Sequence, residues 1–418
     1  MTATPDGAEN GAEELIGAYW QGAHLQDPLF LEKMRAVNPV LLSPTHGLAV
    51  LTGHAEITAA LRHPDVRTTK FEGGEGFSHT ASYAVMSPMM LFHDGGSHTR
   101  LRSLAQRAFT PRVLEESRDF IASLTDDLLT EAAAASRNSD GVDKSGVDIV
   151  QAVAYPLPVT VIVRMLGLTG TDAERFRVWS ESVADLLGGV NLPPERWAQI
   201  EADAQQMREY FRTLADDLRA EPQPGLLSAL AAAEAEGGGG RLSSAELLAN
   251  AVLLLVAGHE TTSNLIAGSF HALAEYPEQR AWLAADPGGR AANATEELLR
   301  FLSPVRGSGR LATAPLTLGD VKLPAGIFLS LSYASGSRDP RVYADPHALD
   351  LSRANARTHL AFAGGPHYCL GATLARLEST TFLTRLMTRF PEYMVPEQAI
   401  SHRPNFALQG LERLRVVF

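Results

Sequence analysis

A mainly α-helical fold with a minor β part follows from three features of the sequence. Ala and Leu are plentiful among the 418 residues, while Phe, Tyr and Trp make up only 7%, a balance that favours helix. Long stretches before residue 302 carry apolar residues at helical spacing. From about Pro304 short β-like pieces alternate with Pro and Gly turns. No internal repeat or clean linker interrupts the chain, so residues 13–418 are expected to form one large domain.

Residues 1–12 are small, polar and acidic and are expected as a disordered tail. Short amphipathic helices follow from Ala12 to about Pro64, with the apolar run Gly47–Thr52 as a strand. The stretch Lys70–Phe92 carries Gly73, Gly74 and Gly76 and a Met-rich end. It is expected as a long loop, a class of segment that usually serves function. Helices are expected near Gly96–Phe109 and Val113–Ala135, then over Tyr155–Leu168, Asp172–Leu187 and Glu195–Ala220. Pro193-Pro194 separates the last two, and the glycines 237–240 form a hinge before the next helix. That helix runs from Ser243 to about Glu275, where Ser243 and Glu246 have capping-box spacing. At 1.5 Å per residue it is roughly 50 Å long. In the tail, LTLGDVKLP and IFLSLSY read as strands.

Charge and cysteine content exclude several functions. A formal charge of −12 argues against nucleic acid or an anionic membrane as the main partner. A single Cys excludes an internal disulfide and any Cys-rich zinc or iron–sulfur site. No apolar run reaches the roughly 18–20 residues that span a bilayer. Residues 1–30 lack the pattern of a signal peptide, so a cytoplasmic protein is expected.

The lone Cys lies in Phe362-Ala-Gly-Gly-Pro-His-Tyr-Cys369-Leu-Gly371, a Gly-rich turn leading into the helical ATLARLE. A thiolate there gains from the positive end of a helix dipole. Taken alone, a Cys of this kind is more often inert and buried. The F-x-x-G-x-x-x-C-x-G spacing resembles the haem-binding loop of the cytochrome P450 family, the haem-thiolate monooxygenases. The resemblance implies a single P450-type domain with haem b between the long central helix and the Cys-loop helix. It implies Cys369 as the axial ligand, whose electron donation favours O–O cleavage. It makes Phe362 the shield of the sulfur and Gly371 the point where the next helix approaches the haem. Ala363 departs from the Gly that many members carry.

Three further segments agree. Glu297 and Arg300 lie on one helical face at i,i+3 and match the family's E-x-x-R, with Arg353 as the implied third partner. Ala257-Gly258-His259-Glu260-Thr261-Thr262 interrupts an apolar helix. It resembles the family's A-G-x-[D/E]-T, which makes Glu260 and Thr261 an acid–alcohol pair for proton delivery. The Thr261 hydroxyl can bond back to the Ala257 carbonyl and bend the helix. His259 is expected as a polar neighbour and not as a ligand. His98-Thr-Arg-Leu-Arg102, Arg310 and His367 match positions that neutralise haem propionates, as Arg forks suit carboxylates.

The resemblance implies a monooxygenase that hydroxylates or epoxidises an apolar molecule with O2, fed by a ferredoxin-like donor and its reductase. Macrolide, terpenoid, carotenoid, steroid and fatty-acid substrates all remain open. A peroxide-driven peroxygenase and a non-catalytic haem sensor are the alternatives, and the Glu260–Thr261 pair argues against both. Val85, Met86, Met89, Met90, Leu91, Leu186, Leu187, Leu254, Ala257, Val305 and Leu408 are candidate pocket residues, and Met-rich walls adapt to irregular ligands. Arg107, Arg112, Arg357 and Arg376 are expected as a basic docking patch for the donor.

Overall fold

The computed structural model describes residues 5–22, 27–68, 77–137, 146–168, 173–188, 192–223, 225–235 and 242–418. The expected glycine hinge and the start of the Lys70–Phe92 stretch lie outside the described residues. In chain order the first helices are α1 (Pro5–Trp20) and α2 (Pro28–Val37). Strands β1 (Val40–Ser43) and β2 (Leu48–Leu51) precede α3 (His54–Arg62) and β3 (Val66–Thr68). Next come α4 (Ala81–Met86), α5 (Gly95–Ala105), α6 (Pro111–Arg137) and β4 (Val147–Asp148). A run of helices follows: α7 (Pro156–Leu166), α8 (Ala173–Gly188), α9 (Pro194–Ala220), α10 (Leu226–Ala235), α11 (Ser244–Glu275), α12 (Pro277–Ala285) and α13 (Pro287–Leu302). The chain closes with β5 (Gly307–Ala312), β6 (Leu316–Leu318), β7 (Val321–Leu323), β8 (Phe328–Ser332), α14 (Tyr333–Gly336), α15 (Ala372–Arg389) and β9 (Arg415–Val416).

The chain folds into two compact units, each drawn from three separated stretches. Unit 1 takes residues 1–69, 292–369 and 404–409; unit 2 takes the rest. The helix α1 reaches back to Pro5, into the stretch expected as a tail. Ala8, Glu9, Ala12, Glu13 and Glu14 are good helix formers, and the composition reading underweighted them.

Unit 1 is built on a five-stranded sheet in the order β1-β2-β8-β5-β3. Only β2 and β8 pair in parallel, with Ala49 opposite Leu329. Ala49, Leu51, Leu329 and Leu331 are buried and pack with Ile57 and Leu360. LTLGDVKLP forms the antiparallel β6–β7 hairpin around Gly319, whose φ of 55° suits a residue without Cβ.

Unit 2 is helical, and α11 is its axis. The capping box forms as the spacing predicts: the Ser243 hydroxyl accepts from Glu246 N, and the Glu246 carboxylate accepts from Ser243 N. Leu247 to Val256 are buried all round, so α11 is central. It packs on α7, α15, α4, α8 and α9. Gly258 has a packing reason: a Cβ there would lie 3.0 Å from Ile162 of α7. The 77–92 stretch is not a loop. Thr80 caps α4 by accepting from Tyr83 N, and Glu201 of α9 accepts from Ala81 N at 2.8 Å. Asn250 of α11 accepts from Met90 N at 2.9 Å.

Candidate active site

In unit 1 the Cys loop is fixed by its own backbone. Cys369 N donates to Phe362 O at 3.0 Å and Tyr368 N to Gly365 O at 3.1 Å. At Gly365 φ is 64° and a Cβ would fall 2.0 Å from Leu61 O, so only glycine fits. Ala363 also takes a positive φ, 56°, where the family often has Gly. That residue therefore carries left-handed strain. Phe362 is buried, its ring edge-on to Tyr368 with centroids 6.3 Å apart. Cys369 is half-buried and outside any disulfide. His367 ends a short 3-10 turn, Gly365–His367, and Gly371 is the N-cap of α15.

Also in unit 1, Glu297, Arg300 and Arg353 form one buried cluster. Arg300 Nη2 and Nε each donate to a Glu297 carboxylate oxygen at 2.7 Å, a bidentate fork. Arg353 Nε reaches both Glu297 oxygens at 3.1 Å. The remaining guanidinium hydrogens go to carbonyls: Arg300 to those of Ser337, Pro346 and Ala348, Arg353 to that of Ala344. The cluster thus ties α13 to the irregular chain around residues 337–353. Next to it, His359 and Arg357 both approach Glu296, at 3.0 and 3.3 Å, a pairing that sequence reading missed.

In unit 2 the polar turn of α11 has a distinct geometry. Ala257 is exposed, and Gly258 and Thr261 are half-buried, on a helix whose preceding turns are closed to solvent. Thr261 Oγ1 donates to Ala257 O at 3.0 Å, the expected back-bond. Glu260 is buried, and its Oε1 accepts from Arg403 Nη1 at 2.7 Å. His259 is fully buried, with Nδ1 2.7 Å from Leu255 O. No group of three His, Cys, Asp or Glu among the described residues could hold a metal ion.

A second buried acid was not anticipated. Glu378 on α15 is fully buried, and neither carboxyl oxygen reaches hydrogen-bond geometry with a neighbour. Desolvation pushes its carboxyl up to about 8, opposed only in part by the Thr262 hydroxyl. A signal existed: Glu378 shares the i,i+4 stripe of Leu374 and Phe382, both buried. Arg403 gave no signal, because it lies 143 residues from Glu260.

The candidate cations fall as follows. Arg310 is buried on β5 in unit 1. Among the described residues its hydrogen bonds go to Ser308 Oγ and Gly309 O, both neutral. His98 is buried and Arg102 half-buried, both on α5 in unit 2. Of the candidate pocket residues, Leu186, Ala257, Val305 and Leu408 keep accessible surface, and Val305 bridges Leu408 within unit 1. Val85, Met86 and Met89 do not: each is fully buried in the unit 2 core, and Leu254 nearly so. Glu201 and Asn250 hold α4 and its flank by accepting from Ala81 N and Met90 N. Arg107 and Arg112 are exposed and Arg376 is half-buried. Arg112 pairs with Glu116 at 2.8 Å, so its charge is partly compensated.

The donor set fits an iron that brings most of its own ligands. One accessible Cys stands at the head of α15, with no competing metal cluster among the described residues. Arg310 is a buried cation of the kind that calls for an anionic partner.

The model of the cytochrome P450 family matches residues 41–285 and 292–412. Cytochrome P450 107B1 of Saccharopolyspora erythraea is 38% identical over 334 residues, 79% of this chain and 77% of that protein. Vitamin D(3) 25-hydroxylase of Pseudonocardia autotrophica is 35% identical over 425 residues, covering 100% of this chain and 98% of that one. Among solved structures, ligand-free CYP164A2 of Mycobacterium smegmatis matches with a TM-score of 0.85 and 33% identity. That match covers 97% of this chain and 100% of the other.

Proposed function

The chain belongs to the cytochrome P450 family and is a monooxygenase, and we propose that it hydroxylates or epoxidises an apolar small molecule with O2 and electrons from separate redox proteins. The single observation that carries this reading is the α11 turn, where the acid Glu260 is buried and the alcohol Thr261 reaches accessible surface. A peroxide-driven enzyme or a haem sensor has no need of such a pair. The Pseudonocardia relative is named a vitamin D(3) 25-hydroxylase, which supports a steroid-type molecule within the broader apolar class.

The cofactor is haem with a Cys thiolate ligand, as in the family, and haem b is our proposal for its type. When bound, it supplies the iron that activates O2. Cys369 supplies the thiolate, held in place by its N–H bond to Phe362 O. Phe362 keeps water from the sulfur, which preserves thiolate basicity. Arg310, His98, Arg102 and His367 take the two propionates. Gly371, with no side chain, would leave room for the group at the start of α15. Glu297, Arg300 and Arg353 keep the chain beneath the Cys loop rigid. Thr261 Oγ1 turns from Ala257 O to hold an ordered water on the substrate side. Glu260 takes a proton from solvent and passes it to that water. Leu186, Ala257, Val305 and Leu408 contact substrate. Arg107, Arg112, Arg357 and Arg376 contact an acidic ferredoxin-like donor.

Two variants test the reading. Cys369→Ala should abolish the red-shifted Soret band of the ferrous carbon monoxide form. Thr261→Ala should keep that band and substrate binding but release more hydrogen peroxide per product. An unchanged ratio of peroxide to product in Thr261→Ala would sink the assignment of the alcohol.

A further inference from the structure

The carboxyl group of Glu260 sits between two partners of opposite preference. Arg403 Nη1 donates to Oε1 at 2.7 Å, while Oε2 faces His259 Nε2 at 3.7 Å. His259 Nδ1 lies 2.7 Å from Leu255 O. A carbonyl only accepts, so Nδ1 carries the hydrogen and the neutral ring presents Nε2 as a lone pair. Nε2 is buried and has no hydrogen-bond partner. An unsatisfied acceptor therefore faces a carboxylate oxygen, which is a second acceptor. Such an arrangement calls for a donor.

We propose that His259 is a positioning residue that gives Glu260 a second seat: the ionised carboxylate stays on Arg403, and the protonated acid turns its O–H to His259 Nε2. The proposal rests on the reading of Glu260 as the proton carrier. One proton enters from the side of Arg403, whose side chain is 30% exposed. It binds a Glu260 oxygen, and the neutral acid loses its attraction to the guanidinium and becomes a donor. Closing 3.7 Å to an ordinary hydrogen bond moves the carboxyl by about 1 Å. When the proton passes on to the water near Thr261, the carboxylate returns to Arg403. Only O–H bonds are made and broken, and no electron moves.

The groups facing His259 among the described residues fit this role. Burial holds the imidazole below its ordinary range, Glu260 opposes that and Arg403 adds to it. Tyr155, at the turn before α7, meets the ring edge-on with centroids 5.2 Å apart. A neutral ring is the acceptor that the protonated acid needs.

The test uses the holoenzyme in its diamagnetic ferrous carbon monoxide form, with imidazole nitrogens labelled for NMR. His259→Gln assigns the resonance. The expected tautomer carries hydrogen on Nδ1. Arg403→Gln should raise the His259 protonation midpoint, by about one pH unit, and Glu260→Gln should lower it. Hydrogen on Nε2, or one midpoint in all three proteins, overturns the proposal. Arg403→Gln changes a partly exposed side chain, so the comparison survives if His259→Gln fails to fold. Turnover separates the two readings. Unchanged turnover in Glu260→Gln overturns the carrier reading and the role of His259 with it. Slowed turnover with no coupling of midpoints overturns the His259 proposal alone.

Discussion

Replacing Glu378 by Gln removes a buried acid without changing its shape. In the folded protein desolvation raises this carboxyl to about 8, against an ordinary 4.5. Between those values the folded chain keeps the proton while the unfolded chain has lost it. The folded state thus binds more protons, and stability falls as pH rises through that window, levelling off above about 8. The full gap corresponds to about 5 kcal/mol, of which roughly 4 is lost between pH 5 and pH 9. The Gln variant has no such proton to lose. At pH 5 the two proteins should differ by less than about 1 kcal/mol, since both carry a neutral group. At pH 9 the variant should be the more stable by several kcal/mol. For a chain of this length 1 kcal/mol is worth about 1 °C in Tm. The assay is thermal unfolding of the holoprotein at both pH values. Its readout is the change in the wild-type minus variant difference, expected at roughly 4 °C. Parallel pH profiles for the two proteins would refute the argument, because they would mean that water or a neighbour already solvates the carboxylate.

Two other perturbations follow from the geometry. Glu297→Gln leaves Arg300 and Arg353 as buried charges facing a neutral amide; the loss should be roughly 3–5 kcal/mol, read as a lowered denaturation midpoint, and a loss under about 1 kcal/mol would contradict the cluster's role. Ala363→Gly should stabilise the Cys loop, because φ of 56° strains a residue with a Cβ; a gain of up to about 1 kcal/mol is expected, visible as slower loss of the ferrous carbon monoxide band on heating.

Much of this protein was decided by short-range sequence. The capping box at Ser243 and Glu246, the E-x-x-R pair and the Thr261 back-bond each join residues three or four apart. Helical geometry alone brings such residues together, so their spacing foretold the contact. The Cys loop was legible through resemblance, while the close approach of Leu61 O that reserves position 365 for glycine spans 304 residues. Arg353 was legible only through resemblance, as 56 residues separate it from Glu297. What the sequence left open depends on burial and on contacts across long separations. Arg403 reaches Glu260 over 143 residues, and no local pattern encodes that closure. Val85, Met86 and Met89 were apolar in the sequence, but their full burial in the unit 2 core depends on helices packed from distant stretches of the chain. Glu378 is one carboxylate among many in the sequence. Tertiary packing alone removes its water, and with it the charge it would otherwise carry at neutral pH.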